Sequence, residues 1–530
     1  MKSAFKPTGG QVLTDAPGTG QTFADHADTP SALPITSRTS PLLILKQVVS
    51  FPALFAALLV VALFVPMRSF TVDPDLWWHL KVGHDILTSH HWPTADTYSF
   101  TAPGAPWMAY EWLGETLLAA VQRARGLRGL LALDLAIGAA VVQALYGLAW
   151  LRSRNAKAAF VTCALFLNLT AVSFNLRPQM LGYLFLVVTL IILERFRQGH
   201  AGTMWLLPLL FLIWVNTHGS FLIGLLAFGV YAASGLVGIR RGGLESIRWT
   251  PVQRLQLGLV LLASLIALVV TPYGTKLAVY PLDMAFAQPI NVASIQEWQS
   301  MPFNTLVGEQ FLALWVGLLL AQIILGLTWP LPELILFLAG IVAACLHLRF
   351  IMLFVPFATP VFAVILSRWF SPYEPAKDKY ALNALLMIAI VAGMVRFFPS
   401  EKQLQSRVSE HWPVKAVRYL EQHPPPRPMF NNYKYGGYLI YTLDGPNKVF
   451  IDGRGDIYER AGVFGDYRSI SWIEPKALTL LGIYHIQSCL LERDEALGTL
   501  LAASPQWQKA YSDQLSVLFV RRQADLGAGR

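Results

Sequence analysis

Apolar residues in this chain come in long blocks, and block length limits the fold more than any other feature. A bilayer crossing takes roughly 20 apolar residues, and about eleven segments reach or approach that length. They lie near 47–67, 129–151, 158–175, 178–194, 204–216, 220–238, 255–271, 309–327, 332–347, 350–366 and 381–398. Lipid offers no hydrogen-bond partners, so blocks this long must close their backbone bonds internally, as helices. Only 14% of the 530 residues are charged, against about 25% in soluble domains. The expected fold class is a polytopic α-helical membrane protein.

Charge gives these spans a direction. Starting from a cytoplasmic N-terminus, alternation puts 152–157, 195–200, 240–254 and 367–379 inside, and these segments hold most of the loop Arg and Lys. The first loop (68–128), the 272–308 loop and the chain after 399 then face outward. Arg123, Arg125 and Arg128 fit that orientation if 109–125 is an amphipathic helix lying among headgroups. The net charge of +9 is thereby explained by the cytoplasmic loops, and no nucleic-acid partner is expected. Cys163, Cys345 and Cys489 are spaced for neither a disulfide framework nor a zinc site.

Residues 1–45 hold no apolar stretch before the first block and are expected to form a disordered cytoplasmic tail. Residues 46–400 form the transmembrane module, and 401–530 a small extracytoplasmic α/β domain. In that last part the pattern predicts helices at Val414–Gln422, Lys476–Leu481 and Glu495–Ala503. It predicts strands at Lys448–Asp452, His485–Leu491 and Leu515–Arg521.

Polar residues at the outward ends of spans require an account. Asp73 and Asp75, two apart just after the first block, either cap a helix or serve as a general base at the water edge of a cavity. Their hard oxygens also suit a divalent metal. Glu111 and Glu115 share a helical face; Glu111, between Tyr110 and Trp112, is the better substrate contact. His79 and His84 are placed to pair with these acids or to bind sugar hydroxyls, without a metal-binding pattern. Arg177, His218 and Arg349 each sit at an outward junction between spans, where ionisable residues are costly. Two arginines there either snorkel to headgroups or neutralise a phosphate. Asn216 either bonds His218 or a sugar, or caps its turn. Trp77, Trp107, Trp112 and Trp298 either stack on a sugar ring or anchor the interface. Two polar runs after 400, Asn431–Tyr438 and Asp452–Asp456, read as loops.

DPDLWWHLKVG, YEWLGE, NLRPQ, WVNTHGSF, LRFIMLFVPFATP and the tail YKYGGYLIY…VFIDGRGDIY together resemble the GT-C membrane glycosyltransferases. The likeness is to bacterial multi-span proteins related to protein mannosyltransferases and oligosaccharyltransferases, and spans about residues 47–520. It implies a sugar donor on a polyprenyl phosphate, an acceptor of unspecified class, and a site in the outer face of the bacterial plasma membrane. Asp73 or Asp75 takes the place of the catalytic aspartate, with Asp75 favoured because Asp73 precedes Pro74. Arg177 and Arg349, with His218, take the place of the phosphate-binding residues. Glu111, His79, Trp77 and Asn216 are expected around the substrate. The acceptor-reading WWDYG motif of oligosaccharyltransferases corresponds to NYKYGGY, which lacks its tryptophans and its acid. A single displacement with one base implies inversion. The rival readings are a flippase of lipid-linked sugars and a non-catalytic assembly subunit.

Overall fold

The computed structural model describes residues 40–522, apart from 172, 287, 295 and 444–446. Residues 1–39, most of the expected tail, lie outside the described residues, and Pro41–Val48 is helical. Every apolar block coincides with a helix. In order these are Phe51–Met67, Trp112–Ser153, Ala156–Ala171, Gln179–Arg197, Leu207–Thr217, Phe221–Ser234, Pro251–Ala267, Leu306–Leu325, Leu331–Leu346, Ile351–Leu366 and Tyr380–Arg396. Among the described residues, four helices are by themselves long and apolar enough to cross a membrane: Trp112–Ser153, Gln179–Arg197, Leu306–Leu325 and Leu348–Leu366.

The helix Trp112–Ser153 is bent at Gly126, whose φ of 62° and ψ of −153° lie in a region open only to glycine. The second arm therefore begins with unpaired backbone N–H groups. Glu401 caps them, accepting from Leu127 N at 3.1 Å and Arg128 N at 3.0 Å. The first arm carries Glu111 at its N-cap and Arg123 and Arg125 on its exposed side.

Aromatic packing holds the bundle. Phe166 meets Phe354 and Phe362 edge-on, and Trp214 stacks on Phe211. At one end Arg152 pairs with Glu333 and lies 3.8 Å from Glu194, which also holds Arg197 at 2.8 Å. The strands Ile239–Arg241 and Leu244–Ser246 pair antiparallel there, with Trp329–Pro330 beside them.

The first loop, the 272–308 segment and the chain after 400 gather at the opposite end. Tyr273 Oη donates to Pro93 O at 2.9 Å and accepts from Ala109 N at 3.0 Å. Ile290 N donates to Glu459 at 2.8 Å. Leu76, Trp78, Phe430, Phe450 and Leu490 share one buried apolar core.

The C-terminal sheet has the order Met429–Asn431, Ser488–Glu492, Ser516–Arg521, Trp507–Ser512. The first pair is parallel and the others antiparallel. The helices Val414–Gln422, Ala477–Ile483 and Ala496–Ala503 fall where the pattern predicts them. Two expectations need correction. Lys448–Asp452 is not a strand of this sheet. Val449 instead bridges Ser99 of the first loop, while Asn431 occupies its inner edge, accepting from Phe450 N and donating to Ile451 O at 2.8 Å each. A side-chain amide thus takes the bonds a neighbouring strand would make. Asn431–Tyr438 is not a loop throughout: Asn432 caps a helix, Tyr433–Thr442.

Candidate active site

The loop helix Pro74–Ser89 sets the geometry. Pro74 fixes its first turn, and Asp73 is its N-cap, with Oδ1 accepting from Asp75 N at 2.9 Å. Both aspartates consequently point off the same helix end. Arg177, just before the helix Gln179–Arg197, meets them there: its Nη2 lies 2.7 Å from Asp73 Oδ1 and 3.1 Å from Asp75 Oδ2. Nη1 lies 3.7 Å from Glu297. Asp75 Oδ1 accepts from Trp78 Nε1 at 3.1 Å. Burial pushes the Asp75 carboxyl up to about 6, against the pull of Arg177, and Asp73 and Glu297 add to the rise.

Arg349 shares a cavity with Arg177. Ser173, Asn175, Gln179, Tyr183, Glu297 and Leu348 complete its lining. Arg349 donates to Gln179 Oε1 at 3.1 Å and stacks on Trp298, its guanidinium carbon 4.4 Å from the ring centre. Two guanidiniums thus border one cavity, and Arg177 connects it to both aspartates.

Beside it runs a chain of alternating carboxyl and imidazole groups. Ser220 N donates to His218 Nδ1 at 3.0 Å, so the neutral ring carries its proton on Nε2 and donates to Glu111 Oε1 at 3.3 Å. Glu111 Oε2 lies 3.5 Å from His79 Nε2, and His79 Nδ1 lies 3.2 Å from Glu115 Oε1. Burial, followed by Arg349 and Arg177, lowers His218 to about 3. Burial first, then Arg177 and His218, holds His79 well below its usual value. Burial raises Glu111 to about 8, opposed by Arg177 and Arg349 and assisted by Asp75. At neutral pH Glu111 is therefore a neutral acid between two neutral imidazoles. One set of protons fits every contact: His218 donates to Glu111, Glu111 to His79, and His79 to Glu115.

Other candidates are engaged elsewhere. Trp77 packs against Trp412, Tyr438 and Tyr441. Asn216 accepts from Trp112 Nε1 at 2.8 Å and donates to the carbonyls of Leu212 and Val270. His84 meets Gln122 at 3.0 Å. Trp107 lies over Arg454. Among the described residues no three His, Cys, Asp or Glu side chains converge to hold a metal ion. Asp73, Asp75 and Glu297 converge on the Arg177 guanidinium. Glu297 and Gln179 were not singled out in the sequence. Glu297 is an acid in the polar 272–308 loop, and Gln179 lies two residues from Arg177; those positions were the available signals.

The chain after 400 closes the site's far side. A Cβ on Gly453 would overlap Asp75 Oδ1 and Trp78 Nε1, so only glycine allows that approach. Next to it Arg454 is fully buried, 2.7 Å from Asp96 of the first loop and 2.6 Å from Asp452, between the rings of Tyr98 and Trp107.

No protein-family model and no curated protein matches the chain by sequence. Solved structures do match it. The oligosaccharyltransferase of Archaeoglobus fulgidus in complex with Zn and sulfate is 13% identical, covering 88% of this chain and 73% of its own, with a TM-score of 0.50. The chain shares the fold of that archaeal structure. The same archaeal protein tethered to an acceptor peptide with the NVT sequon is 14% identical, with coverage of 88% and 74% and a TM-score of 0.49. With an inhibitory peptide and a dolichol-phosphate, it is 13% identical, with coverage of 89% and 74% and a TM-score of 0.49. Within this fold, Arg177 meets Asp73 and Asp75 and borders one cavity with Arg349.

Proposed function

We propose that this protein is a GT-C membrane glycosyltransferase that moves a sugar from a polyprenyl-phosphate donor to an acceptor at the outer face of a bacterial plasma membrane. In this reading residues 1–45 are cytoplasmic, 46–400 hold the donor lipid, and 401–530 form the outward domain. One observation carries the reading: Arg177 touches both aspartates and borders one cavity with Arg349.

Asp75 acts as the base. It takes the acceptor hydroxyl proton as the oxygen bonds to the anomeric carbon and the bond from that carbon to the phosphate oxygen breaks. The charge that develops on the departing phosphate is met by Arg177 and Arg349, through charge-assisted bonds that strengthen in the transition state. His218 stands beside them. Glu111, neutral when its carboxyl titrates near 8, adds no charge to repel the phosphate. Asp73 holds the first turn of the loop helix and the orientation of Arg177. His79 lies behind Glu111, against Glu115, while Trp77 and Asn216 hold neighbouring elements in place. A single displacement of this kind inverts the anomeric centre.

The test is Asp75→Asn in reconstituted membranes, scored for sugar transfer and for retention of the lipid-linked donor. Loss of transfer with donor still bound supports the enzyme. Undiminished transfer overturns the assignment. A flippase or an assembly subunit would bind the donor without regard to Asp75.

A further inference from the structure

A second basic site lies away from the aspartates, and nothing in the sugar-transfer reading uses it. Three arginines from three elements line one groove. Arg68 caps the C-terminal end of Phe51–Met67, Arg396 ends Tyr380–Arg396, and Arg407 lies on the helix Glu401–His411. Ser69, Ser400 and Phe397 complete its working surface. The groove holds about 620 Å³ and is open to the outside, room for a lipid headgroup.

The arginines are arranged, not merely adjacent. Arg407 Nη1 donates to the carbonyl of Arg68, fixing one guanidinium to the end of the first span. Arg68 and Arg396 approach the same Phe397 ring, at 5.9 and 5.8 Å from its centre. Among the described residues none of the three has a carboxylate partner. The acids of the Glu401–His411 helix are turned elsewhere: Glu401 caps the second arm of the kinked helix, and Glu410 accepts from Ser406. The helix surfaces at and beside the groove are bare and apolar, with Val395 72% and Phe397 59% exposed. A cluster of guanidiniums beside exposed hydrocarbon matches an amphiphile with an anionic head and acyl tails.

We propose that this groove binds the phosphate of an anionic membrane lipid, whose chains run along Phe51–Met67 and Tyr380–Arg396. Guanidiniums suit phosphate oxygens through paired N–H donors. The Ser69 and Ser400 hydroxyls are bonded to Pro66 O and to Gln403, which leaves the phosphate oxygens to the guanidiniums. Arg68 lies five positions before Asp73 in the chain, so the lipid would tether the root of the loop that carries the aspartates.

The experiment uses the full chain in phosphatidylcholine nanodiscs containing phosphatidylglycerol, with lipid retained after gentle release measured by native mass spectrometry. Phosphatidylglycerol should be retained in preference to phosphatidylcholine. Each neutralised arginine should weaken retention about fivefold, and R68Q/R396Q/R407Q on the order of a hundredfold. R396Q alone, at an exposed position, keeps the test valid if the triple variant does not fold. Arg177→Gln should leave retention unchanged, which separates this site from the donor site. Equal retention of the two lipids, equal retention by R396Q and the native chain, or complete displacement by inorganic phosphate would each overturn the proposal.

Discussion

Arg177 and Asp75 meet at 3.1 Å, and the same arginine nitrogen lies 2.7 Å from Asp73. A single donor shared by two carboxylates leaves each with unfilled acceptor capacity. It also lets Arg177 exchange a carboxylate for a phosphate without crossing the cavity. The two aspartates are not equivalent, because Asp73 is already bound to the backbone as a cap and Asp75 to the Trp78 indole.

The first prediction exploits that difference. Asp75→Asn should lower the transfer rate by about 10²- to 10⁴-fold, the usual contribution of a positioned base. Asn caps helices as well as Asp does, so Asp73→Asn should retain thermal stability. Asp73→Ala should lose about 1 kcal/mol. Unfolding scans together with sugar-transfer rates separate the roles; equal rate losses without a stability difference would contradict them.

The arginines should act on the phosphate. Arg349→Lys keeps the charge but loses the planar fork and the stack on Trp298. A hydrogen bond to a charged group contributes about 1.5–3 kcal/mol. KM for the lipid-linked donor should therefore rise roughly ten- to hundredfold, and the acceptor KM should be little changed. Initial rates with each substrate varied in turn measure this.

Titration gives a third prediction. Transfer should rise with pH through about 6, as Asp75 ionises, and fall above about 8, as Glu111 becomes charged. Stability follows by linkage. Glu111 is raised from 4.5 to about 8, so its contribution is full below 4.5 and is lost as pH climbs to 8. Asp75, raised from 3.8 to about 6, has finished titrating by then. His218, lowered from 6.5 to about 3, opposes Glu111 only below 6.5. Between pH 6.5 and 8 Glu111 contributes together with Glu115, whose carboxyl is also raised by burial and by Glu111, and Tm should fall with rising pH. Glu111→Gln should make that slope shallower; an unchanged slope would show the Glu111 carboxyl ionised throughout.

Block length was enough to find the helices, because a lipid-facing segment carries its burial in its composition. The pairing of Arg177 with the aspartates was legible in outline, since the charge pattern of the sequence assigns each residue to the same end of its span. The Glu111–His79–Glu115 chain was less so. Glu115 reads as the polar face of an amphipathic helix until the loop helix is laid against it at Gly83, where a Cβ would overlap the Glu115 carbonyl. The Lys448–Asp452 strand failed because Asn431, a residue with no strand signal, takes its backbone bonds. Asp452–Asp456 reads as turn chemistry, yet Arg454 is a buried ion paired with a residue of the first loop. Long-range polar partners leave no periodicity to read.

That buried arginine supports a fourth prediction. Arg454 is held by Asp96 and Asp452 with no solvent access, so removing it strands two carboxylates. Arg454→Met should cost about 3–5 kcal/mol, lowering Tm and exposing the first loop to protease. Asp96→Asn should cost less, because its amide oxygen still accepts. Equal protease sensitivity in the native and R454M proteins would mean that this ion cluster does not hold the loop.

The last prediction concerns the bend at Gly126. Its φ of 62° and ψ of −153° strain any other residue by about 1–3 kcal/mol, and a Cβ there would press on the Glu401 carboxylate. Gly126→Ala should therefore act twice, straining the backbone and displacing the cap on Leu127 and Arg128. Glu401→Gln keeps the shape, removes the charge, and should cost about 1 kcal/mol by weakening the interaction with the helix N-terminus. Because both changes act on one contact, the double variant should lose less stability than the two single losses added together. The arm ahead of the bend carries Glu111 and Glu115, so Gly126→Ala should also slow transfer, whereas Glu401→Gln should change Tm with little effect on rate. Additive stability losses would mean that the bend and its cap are independent.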